Sequence, residues 1–150
     1  MKRKKIIIWT ILILLAAGAA GGFYAYKEYN RKHKDTADLK PDFSATAVVL
    51  LDEYQKDEKS ANNKYLGKVL KVDGLVKDLK QDDKGLYTVI LGDTASMSSV
   101  RFSMDSIHNE QAAGLVKGKA AVLKGICTGF NADEMLGSDL MLNRAVVEKK

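Results

Sequence analysis

The sequence contains little of the residue types that build covalent or metal-held structures: one cysteine, one proline and two histidines. With Cys127 alone, no disulfide can form within the chain. A lone thiol fits a reducing compartment, or an oxidising one if it is buried, so it does not decide the compartment. Zinc needs three or four suitably spaced ligands, and Cys127 with the distant His33 and His108 does not provide them. The sequence therefore predicts no metal and no cofactor.

Motifs of common enzyme classes are also missing. The chain has no Walker-type phosphate loop, no G-x-S-x-G and no dinucleotide-binding fingerprint. A Cys–His nucleophile pair would require an exposed and activated Cys127. Its place on an apolar strand face with Leu123 and Gly125 predicts burial instead. We therefore expect no catalytic residues and a non-enzymatic protein.

Positive charge is concentrated at the amino-terminal end. The formal net charge is +5, and residues 1–41 hold nine Lys/Arg against three Asp/Glu. Residues 42–150 hold fifteen Lys/Arg against sixteen Asp/Glu, a net charge of −1. A nucleic-acid-binding domain usually carries its positive charge on the domain itself. This distribution makes nucleic acid an unlikely partner.

An uncharged run of twenty-one residues, Ile6 to Tyr26, follows the basic tail of residues 1–5. At about 1.5 Å per residue, a helix of this length matches the roughly 30 Å hydrocarbon core of a membrane. Trp9 stands near one end, and three aromatic residues near the other, where interfacial aromatics are expected. We therefore expect residues 6–26 to form a transmembrane signal-anchor helix in contact with lipid. Cleavage as a signal peptide after Ala17-Gly18-Ala19 stays open.

The flanking charges bear on orientation. Four Lys/Arg precede the run and four follow it, but the first cluster is denser and abuts the apolar segment. This favours a cytoplasmic tail and a carboxy-terminal domain outside the bacterial inner membrane, in the periplasm or its equivalent. Gly18 and Gly22 have the spacing that lets two helices approach closely, so a homodimer through this segment is a further possibility. A polar linker over residues 27–41 then leads to a domain over residues 42–150.

Helical and strand periodicities divide the domain. Ser44 or Thr46 could cap a helix whose apolar face comprises Ala47, Val48, Leu51 and Tyr54, fading near residues 61–63. Alternating apolar residues then predict strands. The residues that mark the five strands are Leu70, Val72, Gly74 and Val76; Tyr87, Val89 and Leu91; Val100 and Phe102; Ala121, Leu123, Gly125 and Cys127; and Leu140, Leu142 and Val146. Gly74 in mid-strand suits a sharp bend.

The connections complete the predicted architecture. Asp82-Asp83-Lys84-Gly85 indicates a hairpin turn, since the acidic pair lacks the further oxygen ligands of a calcium loop. A short helix is expected around His108 to Leu115, between the third and fourth strands. The sequence thus predicts a mainly β fold, a five-stranded OB-fold barrel with a preceding amphipathic helix.

Several blocks carry a resemblance to a known family: "ANNKYLGKVLKVDGLVKDL", "LYTVILGD", "VRFSM" and "LVKGKAAVLKGICTGF". Over roughly Phe43 to Val147, the chain resembles the tRNA_anti-like family of bacterial OB-fold proteins. The resemblance implies the fold. It implies no established activity and supplies no catalytic residue, because members of the family are largely uncharacterised.

Binding residues can be proposed from the usual ligand face of the OB fold, strands two and three. The predicted outer face there offers Thr88 and Arg101 but no aromatic residue. Tyr65, beside Lys64 and Lys68, is the candidate for an exposed aromatic-basic patch, with packing at the strand entry as the alternative. The favoured function is a membrane-anchored binding or scaffold module of the cell envelope, for a protein, peptide or glycan. The alternative is a membrane-tethered OB domain that binds single-stranded nucleic acid or tRNA.

Overall fold

Two compact units make up the chain, residues up to 34 and residues from 35 onward. The computed structural model describes residues 2–29, 34–133 and 135–148. Linker residues 30–33, which include His33, lie outside this set. The first unit contains one helix, α1 (Lys2–Tyr29), whose described side chains are those of Trp9 and residues 13–29. Among the described residues, no helix is long and apolar enough to cross a membrane. Membrane insertion and pairing through Gly18 and Gly22 stay predictions.

The second unit is mainly β. Its described residues form β1 (Phe43–Thr46), α2 (Ala47–Lys56), α3 (Glu58–Tyr65), β2 (Val69–Gln81), β3 (Tyr87–Leu91), β4 (Ser99–Met104), β5 (Ala120–Asn131) and β6 (Asp139–Val147). Two 3-10 helices, Thr36–Asp38 and Asn109–Gly114, precede β1 and β5. The second of these corresponds to the short helix expected after the third barrel strand.

Strand pairing closes a five-stranded barrel. The sheet order is β1-β2-β3-β4-β6-β5, and β2 also pairs with β5. The first half of β2, Val69 to Leu75, is antiparallel to β5, and its second half is antiparallel to β3. β4 and β6 run parallel, and the short β1 runs parallel to the first half of β2. The predicted OB-fold barrel is therefore confirmed, with β1 as an additional edge strand.

Alternating side chains fill the barrel as the sequence predicts, with one exception in β6. Leu140 and Leu142 point into the core, but Arg144 has a left-handed φ of 53° and the pairing register shifts beside it. This irregularity moves the alternation by one residue, because each step along a strand reverses the side-chain direction. Ala145 enters the core instead of Val146, which is buried outside the core cluster. Val146 nevertheless lies in β6, the fifth barrel strand that the sequence predicts for it.

The preceding helix begins where one of the two candidate caps stands. Thr46 accepts a hydrogen bond from Val49 N at 3.3 Å and caps α2. The buried face of α2 is formed by Ala47, Leu50, Leu51 and Tyr54. Val48 is exposed, in contrast to its predicted place, because it falls on the same side as polar residues 52 and 55. Asp57 is extended and caps α3, so two helices replace the single one predicted.

Gly74 has a steric role in addition to the bend predicted for it. A Cβ atom at this position would lie 3.1 Å from Ala47 Cβ and 3.4 Å from Leu91 Cβ. Glycine therefore lets the start of α2 approach the barrel wall. In the hairpin between β2 and β3, Gly85 has a φ of 80°, and Asp82 Oδ1 accepts from Lys84 N and Leu86 N. The predicted turn is confirmed.

A short segment before β1, Asp35–Leu39, packs against the outside of the barrel, and we call it the strap. Lys124 Nζ donates to Ala37 O and Leu39 O, each at 2.9 Å, and lies 2.7 Å from Glu148 Oε1. Lys124 is only 4% exposed, and Thr36 within the strap is fully buried. His108 Nε2 lies 2.7 and 2.9 Å from the Asp35 carboxylate oxygens. The compact unit thus begins at Asp35, whereas the sequence indicated a start at Asp42.

Candidate binding surface

The proposed aromatic-basic patch around Tyr65 does not form. Tyr65 is 3% exposed and belongs to the core, where its ring lies edge-on to Phe43 at 5.1 Å and stacks on Tyr54 at 6.1 Å. Its hydroxyl donates to Glu53 Oε2 at 2.8 Å. The structure therefore gives Tyr65 the packing role that the sequence left open, and corrects the expectation of an exposed aromatic.

The two lysines beside Tyr65 also make contacts that stabilise the fold. Lys64 Nζ lies 3.0 Å from Glu53 Oε2 and 4.6 Å from the centre of the Tyr65 ring. The hydrogen bond from Lys64, followed by that from Tyr65, holds the pKa of Glu53 below its ordinary value. Lys68 is exposed, but its backbone bonds to Tyr65 O and Cys127 N. These contacts join α2, α3 and β5.

A groove lies on the outer face of β2, β3 and β4, the face where OB folds usually hold ligands. Its volume is about 360 Å³. The groove is lined by Lys77, Asp78, Ile90, Thr94, Met97, Ser99, Arg101 and Lys117. Of the predicted site residues, Arg101 is in this lining. Thr88 is on β3 but pairs with Ser103, two residues along the strand from the Ile90–Arg101 pair, and is not in the lining.

Residues of β2 and β3 and the loop between β3 and β4 set the shape of the groove. Ile90 faces outward between Asp78 and Arg101 in the strand register, yet it is almost fully buried beneath the surrounding long side chains. Lys77 Nζ donates to Ser96 O and Ser98 O, which fixes the β3–β4 loop, residues 92–98, above the sheet. This loop forms one wall. Lys77 follows Val76 along β2, so strand alternation predicts that it lies on the outer face. No sequence signal places the loop residues Met97 and Lys117 beside it.

Three cations and one carboxylate, Asp78, line the groove, and a second carboxylate, Asp139, pairs with Arg101 beside it, which leaves a local excess of one positive charge. Arg101 Nε is buried and lies 2.7 Å from Asp139 Oδ2 as an ion pair, without the alignment of a hydrogen bond. Lys117 Nζ is 3.8 Å from Asp78 Oδ1, and its side chain is 71% exposed. Such an exposed pair is weak, so Lys117 can exchange this contact for one with a ligand at little cost.

We call four exposed apolar residues the rim: Met97 of the groove lining, Met141 on β6, and Met135 and Leu136 in the β5–β6 loop. Met97, Met135 and Leu136 are 66%, 84% and 78% exposed. Met141 pairs with Arg101 across β4 and β6. The β3–β4 and β5–β6 loops that carry the other three are joined, since Ser99 N donates to Ser138 O at 2.9 Å and Ser138 N to Ser98 Oγ at 3.0 Å. The rim is thus built on connected backbone.

A larger depression, of about 520 Å³, opens beside the start of α2. Its lining is mostly small or apolar, and the charged residues in it are Asp73 and Asp93. Its lining contains no cation, histidine or cysteine, so it lacks the positively charged side chains that the groove offers to a ligand. The groove is chemically the better-equipped surface.

Catalytic chemistry finds no support in the described residues. Cys127 is buried, its Sγ lies 3.4 Å from the Tyr54 hydroxyl, and burial raises the pKa of its thiol. A protonated, inaccessible thiol is a poor nucleophile. His108 is engaged with Asp35 of the strap. Within residues 2–29, 34–133 and 135–148, no three His, Cys, Asp or Glu side chains lie where they could hold a metal ion.

Solved structures with a similar fold include a proposed nucleic acid-binding lipoprotein from Klebsiella pneumoniae. It is 20% identical, with 79% of this chain and all of that chain covered and a TM-score of 0.55. The asparaginyl-tRNA synthetase of Pyrococcus horikoshii is 18% identical over 57% of this chain and 21% of its own, with a TM-score of 0.38. An OBody bound to hen egg-white lysozyme is 16% identical over 80% of this chain and 97% of its own, with a TM-score of 0.43.

At such identities these likenesses concern the fold. No curated protein sequence matches the chain. The model of one family, tRNA_anti-like, matches residues 1–140 and so covers both α1 and most of the barrel. The extent of this match, the order of the barrel strands and the sequence blocks noted above agree. This chain belongs to the tRNA_anti-like family.

Proposed function

We propose that this protein is a non-enzymatic OB-fold binding module of the bacterial cell envelope, tethered to the membrane by residues 6–26. Its ligand, a protein, peptide or glycan, occupies the groove on β2, β3 and β4. The observation that carries the proposal is the groove itself, which combines the Arg101 and Lys117 side chains with the apolar rim on the usual ligand face of the fold.

Two observations support the tether. The uncharged run Ile6 to Tyr26 lies within one continuous helix, Lys2–Tyr29, and its Trp9 and Tyr26 side chains are exposed. The Klebsiella protein of similar fold is a proposed lipoprotein, which is an envelope protein held by lipid. This chain has no cysteine before Cys127, so a helix would take the place of the lipid.

A single-stranded nucleic acid is the second candidate ligand, favoured by the three groove cations and by the description of the Klebsiella protein as nucleic acid-binding. Proteins that bind single strands combine basic grooves with aromatic side chains on which bases stack. The six aromatic residues from Asp35 onward are buried or half-buried, so the described surface of this unit offers no such platform. Because this unit exposes no stacking platform among its described residues, we rank an envelope ligand above a single-stranded nucleic acid.

Photo-crosslinking in living cells tests the groove. The full chain would carry benzoylphenylalanine at Thr94, in the groove lining, or at Lys84, at the hairpin tip. We expect a discrete crosslinked product from position 94, lost when Arg101→Glu is added, and none from position 84. Equal products from both positions, or a product that survives Arg101→Glu, would refute ligand binding in the groove.

Reporter fusions test the envelope location. A reporter active only in the periplasm and one active only in the cytoplasm would each be fused after Lys150. Activity of the first alone is expected. Activity of the cytoplasmic reporter alone would overturn the proposed orientation and move single-stranded nucleic acid to first place.

A further inference from the structure

We infer that the groove receives an extended, acidic peptide segment that also carries aliphatic side chains. This inference rests on the proposed function, because it names the ligand class for the same groove. Carboxylates of the segment would contact Arg101 and Lys117, and its aliphatic side chains would cover the rim.

The local charge carries the first step. Residues 35–150 hold sixteen Lys/Arg and eighteen Asp/Glu, so the unit is slightly acidic as a whole. Against this background, the groove holds three cations, with the Asp78 carboxylate in its lining and Asp139 paired to Arg101, so a local excess of positive charge remains. A nucleic-acid strand carries a phosphate on every nucleotide along its length, and its binding rests on many phosphate contacts spread over the protein surface. A patch confined to one groove matches a ligand with a few carboxylates.

The second step is the incomplete bonding of Arg101 and Lys117. Arg101 Nε is buried and has no aligned hydrogen-bond acceptor, although Asp139 is within 2.7 Å. A guanidinium accommodates a carboxylate through two parallel N–H bonds, which Asp139 does not provide through Nε. Lys117 is mostly exposed and only loosely paired with Asp78. Nε itself is out of reach of a ligand, but the Arg101 side chain as a whole is 39% exposed, so a ligand carboxylate can contact the exposed part of the guanidinium together with the Lys117 ammonium.

The rim carries the third step. Met97, Met135 and Leu136 are among the most exposed large apolar side chains of the described barrel residues, and all three lie on the two joined loops. Methionine is flexible and polarizable, so it adapts to aliphatic side chains of different shape. An oligonucleotide has no aliphatic side chains to bury there, and the described residues from Asp35 onward expose no aromatic face on which its bases would stack.

The size of the groove indicates an extended segment. About 360 Å³ is near the lower end of the range for ligand pockets, enough for a few side chains but too small for a folded domain. A short stretch of extended peptide satisfies these dimensions.

A selection experiment with the full chain in detergent micelles tests the inference. A random peptide library displayed on phage would be selected on the chain, and enriched peptides would be synthesised and titrated by fluorescence anisotropy. We expect enriched peptides to be rich in both Asp/Glu and aliphatic residues. Arg101→Glu or Met97→Ser should weaken their binding about tenfold or more, whereas Lys84→Glu, the same charge change at the exposed hairpin tip, should not.

Labelled oligothymidylate, titrated in parallel, separates the alternatives. Arg101→Lys keeps the charge and should restore part of the affinity, which a variant that merely misfolds would not. The inference is overturned if no peptide is enriched, if the enriched peptides are basic or lack aliphatic residues, if the groove variants leave binding unchanged, or if oligothymidylate binds more tightly. A crosslink at position 94 in cells together with any of these results would leave the groove as the binding site and remove only this ligand class.

Discussion

Replacing Lys124 with alanine should detach the strap and lower the free energy of unfolding of the second unit by about 3 kcal/mol. The ammonium group is buried and has three oxygen partners at 2.7 to 2.9 Å, two strap carbonyls and Glu148. Breaking a buried, hydrogen-bonded charge pair typically costs about 3–5 kcal/mol. The lower end applies because the Glu148 side chain is 27% exposed and can regain water.

Urea unfolding of the full chain, followed by tyrosine near-ultraviolet circular dichroism, measures this change. Tyr54 and Tyr65 lie in the core of the second unit, whereas Trp9, the single tryptophan, lies in α1. Hydrogen exchange of residues 35–40 would show whether the strap itself is released.

The matched control is Lys56→Ala. Lys56 Nζ is 2.6 Å from Asp52 Oδ2, but both side chains are mostly exposed and the pair lies within one helix, so we expect no measurable change. If Lys124→Ala behaved like this control, or if strap amides exchanged equally slowly in both variants, the role assigned to the buried ammonium would be wrong.

Three further predictions concern pH, packing and the thiol. The hydrogen bond from Lys124 lowers the folded-state pKa of Glu148, so its stabilisation is present above the ordinary value of 4.5 and is lost as pH falls towards the lowered one; the urea midpoints of the wild-type chain and Glu148→Gln should therefore converge in acid. Gly74→Ala should destabilise the barrel by about 1–3 kcal/mol, whereas Gly114→Ala, whose Cβ would meet no atom within 4 Å, should have little effect in the same titration. Cys127 should resist Ellman's reagent in the native chain and react after unfolding, and fast native labelling would contradict its burial.

The barrel strands could be predicted from sequence because burial on one side of a strand leaves a period of two. Leu70, Val72 and Val76 show it in β2, and all three are buried. The alternation changes before Val146, because Arg144 adopts a left-handed conformation that is uncommon for a long side chain and that the period-two pattern does not predict. Tyr65 had two possible roles in sequence because its flanking lysines suggest a surface, while its ring packs against Phe43 of β1 and Tyr54 of α2, which are distant in sequence.

The strap and the groove depend on contacts between residues distant in sequence. Ala37 and Lys124 are 87 positions apart, and nothing local in the polar stretch around Ala37 indicates that it packs. Lys124 alternates with core residues, so the sequence indicates an outward polar side chain but not its burial. Arg101 could be assigned to the ligand face by alternation, whereas Met97 and Lys117 are loop residues whose positions follow from the closed barrel.

The pairing of β2 with β5, which closes the barrel, also determines how long β2 stays unpaired while the chain is synthesised. Val69 to Leu75 in β2 must find Ala120 to Ile126 in β5, some 45 to 57 residues later in the sequence. At about 5–20 residues per second, synthesis leaves this edge of β2 without its partner for roughly 2–11 s. Unpaired strand edges are templates for association with other chains. Every newly made copy therefore passes through an interval, fixed by strand order, in which β2 can pair with a neighbouring molecule before its own β5 has emerged.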